Sequence, residues 1–453
     1  MPEMSPSVTA VLSELAERGR QPSLSGAAAQ AGRRLWSDAI GDADPLGPRR
    51  HPGPATRYRI GSITKPQVAI AVVALAEAGG IDLDRPVSTW VPDAPATTAT
   101  VRQFLCHTSG VPAEPPGPWW ERAGSRPWGD LGLSDLPRLA PPGTRFHYSN
   151  VGYAVLGRLL EAVTGQPWDA ALAEIVWRPL GMDDTSRYPG TDHATGVSVH
   201  PHADLLHPEP VADYHAMGPA GELWSTPGDL LRLGQFLAGV GEGAGILSPA
   251  ALATLRTPIA FADVEGEPWL SGYGLGVAVG NVAGQRSFGH SGSVPGFTAR
   301  LTVEVDTGVV VAVCGNATAR FGDLGPLVDR LGDLLPEPAP EPTEAPTLAV
   351  VDLVGTWYWG PNEHTLTALS ADRIELVGAL AGAERHRFAR AERSWVGESG
   401  GYFHAETLRP IRDRVGRVRQ LDVGTFCFTR TPYDSRADLP GGEPDHRWMP
   451  RRR

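Results

Sequence analysis

Residues 61–80 read GSITKPQVAIAVVALAEAGG. From Gln67 to Ala78 the run is apolar nearly all round and then meets Gly79-Gly80, which predicts a buried helix with a glycine stop. Proline is tolerated only in a helix's first turn, so Pro66 requires the helix to begin near Ser62. That start puts Ser62 and Lys65 one turn apart on the same face, with the hydroxyl at the helix's positive end. A neighbouring amine can accept the serine proton. Lysine suits this because burial and nearby charges shift its pKa, whereas arginine stays protonated.

The composition isolates the same residue. Of 40 basic residues one, Lys65, is lysine and the other 39 are arginine. A chain that uses arginine everywhere else needs at position 65 what arginine cannot do. Lys65 follows Thr64 and not glycine, so no Walker-type phosphate loop exists. A net charge of −11 argues against general binding of nucleic acid or an anionic membrane. Arg451 to Arg453 are too few to alter that and read as a solvated tail. Cys106, Cys314 and Cys427 are far apart without metal-type spacing, and read as small hydrophobes. The N-terminus lacks the basic start and continuous apolar run of a signal peptide; Val8, Val11, Leu12 and Leu15 instead mark one face of a short helix. No stretch reaches the ~18 apolar residues of a transmembrane helix, so the expected location is the cytoplasm.

At 453 residues the chain is expected to hold two to three domains. Residues 336–346 read PEPAPEPTEAP, a stiff, extended, solvated linker. The expected division is a catalytic domain over 1–335, a linker over 336–347 and a second domain over 348–453. The first part mixes helix signals (67–78, and 152–163 with Val155, Leu156, Leu159 and Leu160 in a stripe) with a hairpin of Phe297 to Val305 and Thr307 to Cys314. Helices with antiparallel strands give an α+β class. The second part shows short β-like runs at 355–359, 365–369, 373–377, 386–390, 402–406, 418–423 and 426–429, which fit an antiparallel sandwich or small barrel.

Two further segments complete a catalytic set. Phe146-His147-Tyr148-Ser149-Asn150 precedes the second helix. A tyrosine phenolate can serve as general base where cations hold its pKa down, and Asn150 can bond both the lysine and a substrate amide. Phe288-Gly289-His290-Ser291-Gly292-Ser293 reads as a strand edge whose small residues let a substrate backbone approach. The N–H of Ser293, with that of Ser62, could form an oxyanion hole.

Ser62-Ile63-Thr64-Lys65, Tyr148-Ser149-Asn150 and His290-Ser291-Gly292, in that order, resemble the serine acyltransferase family of class C β-lactamases, DD-peptidases and related esterases. The segments 105–110 (LCHTSG), 221–226 (GELWST) and 272–276 (GYGLG) are similar to the family's secondary motifs. The resemblance covers roughly 20–330. It implies that Ser62 attacks an acyl carbonyl, that Lys65 and Tyr148 take its proton, with the base left open between them, that Asn150 positions, and that His290 supplies polarity beside Tyr148. Gly292, Ser293 and Trp224 would then contact substrate. Histidine in place of lysine in the third motif weakens a β-lactamase reading.

A family domain, a proline-rich linker and a C-terminal lipocalin-like β-barrel together resemble the penicillin-binding-protein-type thioesterases, which are stand-alone cyclases of nonribosomal peptides. Gly355-Thr356-Trp357-Tyr358-Trp359-Gly360 and Phe428-Thr429-Arg430-Thr431-Pro432-Tyr433-Asp434 are similar to the start and end of their second domain. This resemblance implies a peptidyl thioester substrate, carried on a carrier protein, with a D-residue at the acyl end. It also implies Arg430 as a ligand for a peptide terminus, and no cofactor. The alternative is hydrolysis of an ester, a D-amino amide or a D-alanyl peptide. A non-catalytic binding module and a lysine Schiff-base enzyme stand behind both. The chemistry of a nucleophile elbow is not available, because Ser293 replaces the glycine that such an elbow needs after Gly289-His290-Ser291-Gly292. His200, His202 and His207 lack metal-ligand spacing and read as a polar loop. Trp119, Trp120 and Trp128 read as core cover or as a pocket wall.

Overall fold

A computed structural model describes residues 7–318, Leu327, Leu331, 348–434 and Ala437, apart from 97, 265, 283, 380–383, 393, 399 and 400 and the side chains of 134, 348 and 349. The stretch 336–347 lies outside the described residues. The chain divides into two compact units, Met1–Leu335 and Pro336–Arg453.

The strands of the first unit are β1 (Ser23–Gln30), β2 (Arg33–Gly41), β3 (Tyr58–Arg59), β4 (Val197–Val199), β5 (Leu206–Pro208), β6 (Trp224–Ser225), β7 (Ala260–Phe261), β8 (Ser271–Tyr273), β9 (Ala278–Val282), β10 (Gln285–Val294), β11 (Phe297–Glu304) and β12 (Val309–Gly315). Eight of them form one antiparallel sheet in the order β2-β1-β12-β11-β10-β9-β8-β7. Two small pairs, β3 with β6 and β4 with β5, stand apart from it. Alternation along β12 sends Val310, Ala312 and Cys314 to the main core and Val309, Val311 and Val313 to the opposite face. The opposite face is covered by the Val8–Gly19 helix through Val11, Leu12 and Leu15. Both faces are therefore occupied by helices, the layered solution for a sheet apolar on both sides.

The helix expected from Gln67 runs Thr64–Glu77, entered through a 3₁₀ turn at Gly61–Ile63. Its residues Thr64 to Val73 are all buried, which accounts for the missing polar face. The second helix, Asn150–Thr164, begins on Ser149, whose hydroxyl accepts from Gly152 N and donates to Pro112 O at 2.6 Å.

The second unit holds β13 (Gly355–Trp359), β14 (Asn362–Ala368), β15 (Arg373–Gly378), β16 (Arg385–Ala391), β17 (Ser394–Gly397), β18 (Thr407–Arg412), β19 (Val418–Val423) and β20 (Phe426–Thr429). These eight strands close an antiparallel barrel in sequence order. Trp357, Leu366, Ile374, Phe388, Leu421 and Phe428 fill it. Six of the seven expected runs are strands. The exception is 402–406, a turn that inserts Phe403 into the barrel against Gly397, where a Cβ would collide with the Phe403 carbonyl. Its aromatic pair mimicked strand alternation. The strands it displaced, β17 and β18, were masked by the brevity of one and by Pro410 with a bulge at Ile411/Arg412 in the other.

Trp357 is fully buried and its indole N–H donates to Leu353 O at 2.7 Å. Replacing it by alanine is expected to destabilise the barrel by about 3–5 kcal/mol. Denaturant unfolding of the full chain, followed by far-UV circular dichroism, checks this.

Candidate active site

Three elements converge on one amine. Lys65 Nζ lies 2.9 Å from Ser62 Oγ, 2.8 Å from Asn150 Oδ1 and 2.6 Å from Ala220 O. Lys65 is fully buried. Two of its partners are carbonyl oxygens, which can only accept; the hydroxyl can do either. A neutral amine has two N–H groups and one lone pair. It can donate to Asn150 and Ala220 and still turn its lone pair to the Ser62 hydroxyl. Burial pushes the Lys65 ammonium down to about 7, against the opposing pull of Glu114 and Glu121. The arrangement is that of a base already facing its nucleophile.

Tyr148 stands over the same point, with Lys65 Nζ 4.9 Å from its ring centroid. Burial drives its hydroxyl upward, and the hydrogen bond with Ser62 only partly offsets this. The phenolate that the sequence suggested, held low by cations, is therefore corrected: burial, with the carboxylates of Glu114 and Glu121, raises the hydroxyl, and the Ser62 hydrogen bond is what opposes them. Tyr148 enters as a neutral hydroxyl, fit to pass a proton and not to hold a charge.

His290 is buried on β10. Its Nε2 is 2.7 Å from Tyr273 Oη and its Nδ1 is 2.5 Å from Ser291 O. Its ring centroid is 6.2 Å from that of Tyr148. Burial, then the charge of Lys65, press its pKa down to about 3.

The oxyanion region is fixed by two glycines. Gly61 has φ +50°, and a Cβ there would lie 2.7 Å from Ser293 N. A Cβ at Gly292 would collide with Ile60 O and lie 3.0 Å from Ser62 N. The turn before the helix and strand β10 thus meet backbone to backbone, with the amides of Ser62 and Ser293 at the seam. The ladder of β9 with β10 ends at Gly289↔Ala278, so His290 to Val294 carry no partner strand on that side among the described residues. An extended acyl donor can pair there.

Trp224 is 1 % exposed and packs edge-on against Phe297 and His193. Its neighbours in the sequence gave no sign of that burial. Arg430 belongs to the second unit, where it donates to Asp352 O at 2.6 Å and lies 3.7 Å over Trp357. Trp120 is buried and bonds Glu114, Trp128 is half-buried on Asp93, and Trp119 is exposed. His200, His202 and His207 lie at the surface, and no metal-type cluster occurs among the described residues.

Sequence reasoning missed four contributors. Glu114 accepts from Asn150 Nδ2 and Trp120 Nε1, each at 2.7 Å. His107, at φ +60°, stacks 4.2 Å from Tyr148 and accepts from Ser149 N at 3.0 Å. Tyr273 holds His290. Glu222, buried, accepts from Tyr214 N at 2.6 Å and Arg187 Nε at 2.8 Å, and so clasps the segment that offers Ala220 O. Three of these lie inside the secondary motifs, which was the one available signal.

A helix-flanked antiparallel sheet with a serine–lysine–tyrosine centre defines a serine hydrolase or acyl transferase of the β-lactamase and penicillin-binding-protein class. The chain belongs to the Beta-lactamase family, whose profile matches residues 8–331. A profile described as a domain of unknown function matches 346–430. The chain is 31% identical over 328 residues to Penicillin-binding protein 4 of Amycolatopsis lactamdurans, covering 66% of this chain and 84% of that protein. It is 36% identical over 154 residues to Esterase EstB of Burkholderia gladioli, covering 28% of this chain and 38% of the esterase. Among solved structures, SurE aligns over 94% of this chain and 98% of its own, with a TM-score of 0.61 and 26% identity. A D-stereospecific amidohydrolase from Streptomyces aligns over 72% and 98%, with a TM-score of 0.60 and 26% identity. No helix among the described residues is long and apolar enough to cross a membrane.

Two outcomes are expected. Acylation, read as kcat/KM with an activated ester, should fall tenfold per pH unit as pH drops below about 7, because protonation of Lys65 removes the lone pair that faces Ser62. Lys65→Arg should lower it by roughly 10³-fold or more at every pH, since arginine offers no lone pair.

Proposed function

We propose that this protein releases a peptidyl thioester as a head-to-tail macrocycle, through a peptidyl-Ser62 ester, with preference for a D-residue at the acyl end. The observation that carries the reading is the extent of the likeness to SurE, a penicillin-binding-protein-type thioesterase. That likeness runs through 94% of this chain, barrel included, whereas the amidohydrolase aligns over 72%. SurE has also been solved with D-Leu.

The chemistry proceeds in two displacements. Ser62 Oγ attacks the thioester carbonyl while Lys65 Nζ takes its proton. The carbonyl oxygen draws on the amides of Ser62 and Ser293. The C–S bond breaks, and the thiolate leaves with the proton by way of Tyr148. The peptide's own amine then attacks the ester, loses a proton toward Lys65, and Ser62 regains its hydrogen as the C–O bond breaks. Two carboxylates at the rim favour an amine as second nucleophile. Glu114, exposed and bonded to Asn150, lies with Glu121 within electrostatic reach of Lys65. Negative potential there concentrates an ammonium group at the mouth of the site. A carrier protein that presents the thioester and a cytoplasmic location accompany this proposal.

Hydrolysis is the second reading, favoured by the likeness to the Streptomyces amidohydrolase and to EstB. In it water replaces the peptide amine at the same acyl-serine.

A synthetic peptidyl thioester ending in a D-residue separates the two. We expect an acyl adduct on Ser62 and a product lighter by one water than the linear acid. Linear acid alone would assign hydrolysis, and no adduct with thioester, ester or penicillin would remove the covalent mechanism. Glu114→Gln is expected to lower the cyclic-to-linear ratio about 3- to 10-fold by weakening amine capture, checked by mass spectrometry of the products.

A further inference from the structure

The third motif offers the reaction less than its histidine suggests. Ser291 O is a carbonyl and can only accept, so His290 Nδ1 carries the hydrogen of that 2.5 Å bond. In the neutral ring Nε2 is then a bare lone pair, and it receives the Tyr273 hydroxyl at 2.7 Å. Both nitrogens are consumed inside the protein. Tyr273 is 4 % exposed, and its ring stands 87° to that of His290.

We propose that Tyr273 is a positioning residue that, together with Ser291 O, holds His290 as the neutral Nδ1–H tautomer by occupying its Nε2 lone pair, so that the third motif supplies neither a proton nor a charge to the reacting atoms. The inference rests on acyl transfer at Ser62 and not on cyclisation.

The surroundings agree. The charged and titratable groups facing His290 are Lys65 from the serine helix, His107 from the turn after residues 101–105, Tyr148 from the segment before the second helix, Tyr273 from β8 and Arg300 from β11. None is a carboxylate, so nothing there rewards an imidazolium. A second proton at Nε2 would meet the hydroxyl that now donates to it. His107, stacked 4.2 Å from Tyr148, is fixed in the opposite tautomer. The Ser149 amide can only donate, so His107 Nδ1 is bare and Nε2 carries the hydrogen. Two imidazoles thus border Tyr148, each with one nitrogen set by a backbone group of fixed polarity. Neither can take the tyrosine proton without losing a bond it now accepts, from Ser149 N at His107 and from the Tyr273 hydroxyl at His290. Proton traffic is left to Ser62, Lys65 and Tyr148.

Nitrogen-15 NMR of the full chain labelled at histidine tests this, with His290→Asn used to assign the signal. We expect a protonated Nδ1 and an unprotonated Nε2 at His290, unchanged from about pH 5 to 9. In Tyr273→Phe the Nε2 signal should shift as its donor is lost, with Nδ1 still hydrogen-bearing on Ser291 O. The ring should take a second proton at a higher pH than in the wild type, still below the ordinary 6.5 because burial and Lys65 remain. The pH profile of acylation should gain a second acid limb where the ring charges, with kcat reduced ~10-fold there and KM within about twofold. A purely structural tyrosine would lower thermal stability and leave the Nε2 signal and the profile alone, which would overturn the proposal. So would a wild-type His290 that is charged at about pH 6 or hydrogen-bearing at Nε2, a result that stands even where Tyr273→Phe does not fold. The wild-type spectrum needs no substrate, so failure to acylate would sink the acyl-transfer reading separately.

Discussion

A lysine amine buried with no carboxylate among its hydrogen-bond partners is the constraint on which the first unit depends. An ammonium in that position would cost several kcal/mol of lost hydration. The structure meets the cost by favouring the neutral amine and then satisfying it completely. One acceptor comes from a side chain at the first turn of a helix, Asn150. Another comes from a backbone carbonyl, Ala220, and the third group is the nucleophile. Each must arrive within hydrogen-bond distance of a point that burial closes to solvent. The requirement fixes three chain segments relative to one another.

The means by which they are fixed are visible one layer out. Ser149 caps its helix and ties it to Pro112, which sets where Asn150 begins. The segment bearing Ala220 is closed by Glu222, whose carboxylate spans from Tyr214 N to Arg187, while Arg187 also reaches Asp213 at 2.8 Å. Burial lifts the Glu222 carboxyl to about 7. Its hold on Arg187 therefore rests on a carboxylate that deprotonates over the same range as Lys65. Gly157 supplies the remaining fit, because a Cβ there would collide with Pro219 beside Ala220. A buried pair of this kind adds little net stability over an apolar replacement, but losing one partner strands the other. Its value here lies in geometry.

Legibility in the sequence follows the range of the interaction. The serine helix was readable because its apolarity, its glycine stop and its proline are local facts. The barrel was readable where strands alternate cleanly, as at 355–359 and 418–423. It failed at 402–406, where a buried aromatic in a turn imitates a strand. At the site, Ser62, Lys65, Tyr148 and Asn150 stood out because each lies in a short motif of reactive types, and the structure brings them within one hydrogen-bonded cluster. What could not be read was contact between distant segments. Glu114 meets Asn150 across 36 residues, and Lys65 meets the Ala220 carbonyl across 155. A backbone carbonyl leaves no trace in residue identity at all. Trp224 illustrates the converse, a motif residue whose burial depends in part on Phe297, far along the chain.

The arginine bias gains a physical meaning from this arrangement. Arginines at the surface and in ion pairs such as Arg57–Asp184 and Arg187–Glu222 can remain charged at any pH the protein meets. Position 65 needs the opposite property, a nitrogen that surrenders its charge on burial. The neighbouring tyrosine has been driven the other way, so the pair divides the work. The amine can accept the serine proton because it starts neutral, and the hydroxyl can return a proton to the leaving group because it starts protonated. Neither state would survive the exchange of lysine for arginine, or the arrival of an imidazolium beside Tyr148. A histidine with both nitrogens bound fits a site where one added charge would shift both groups at once.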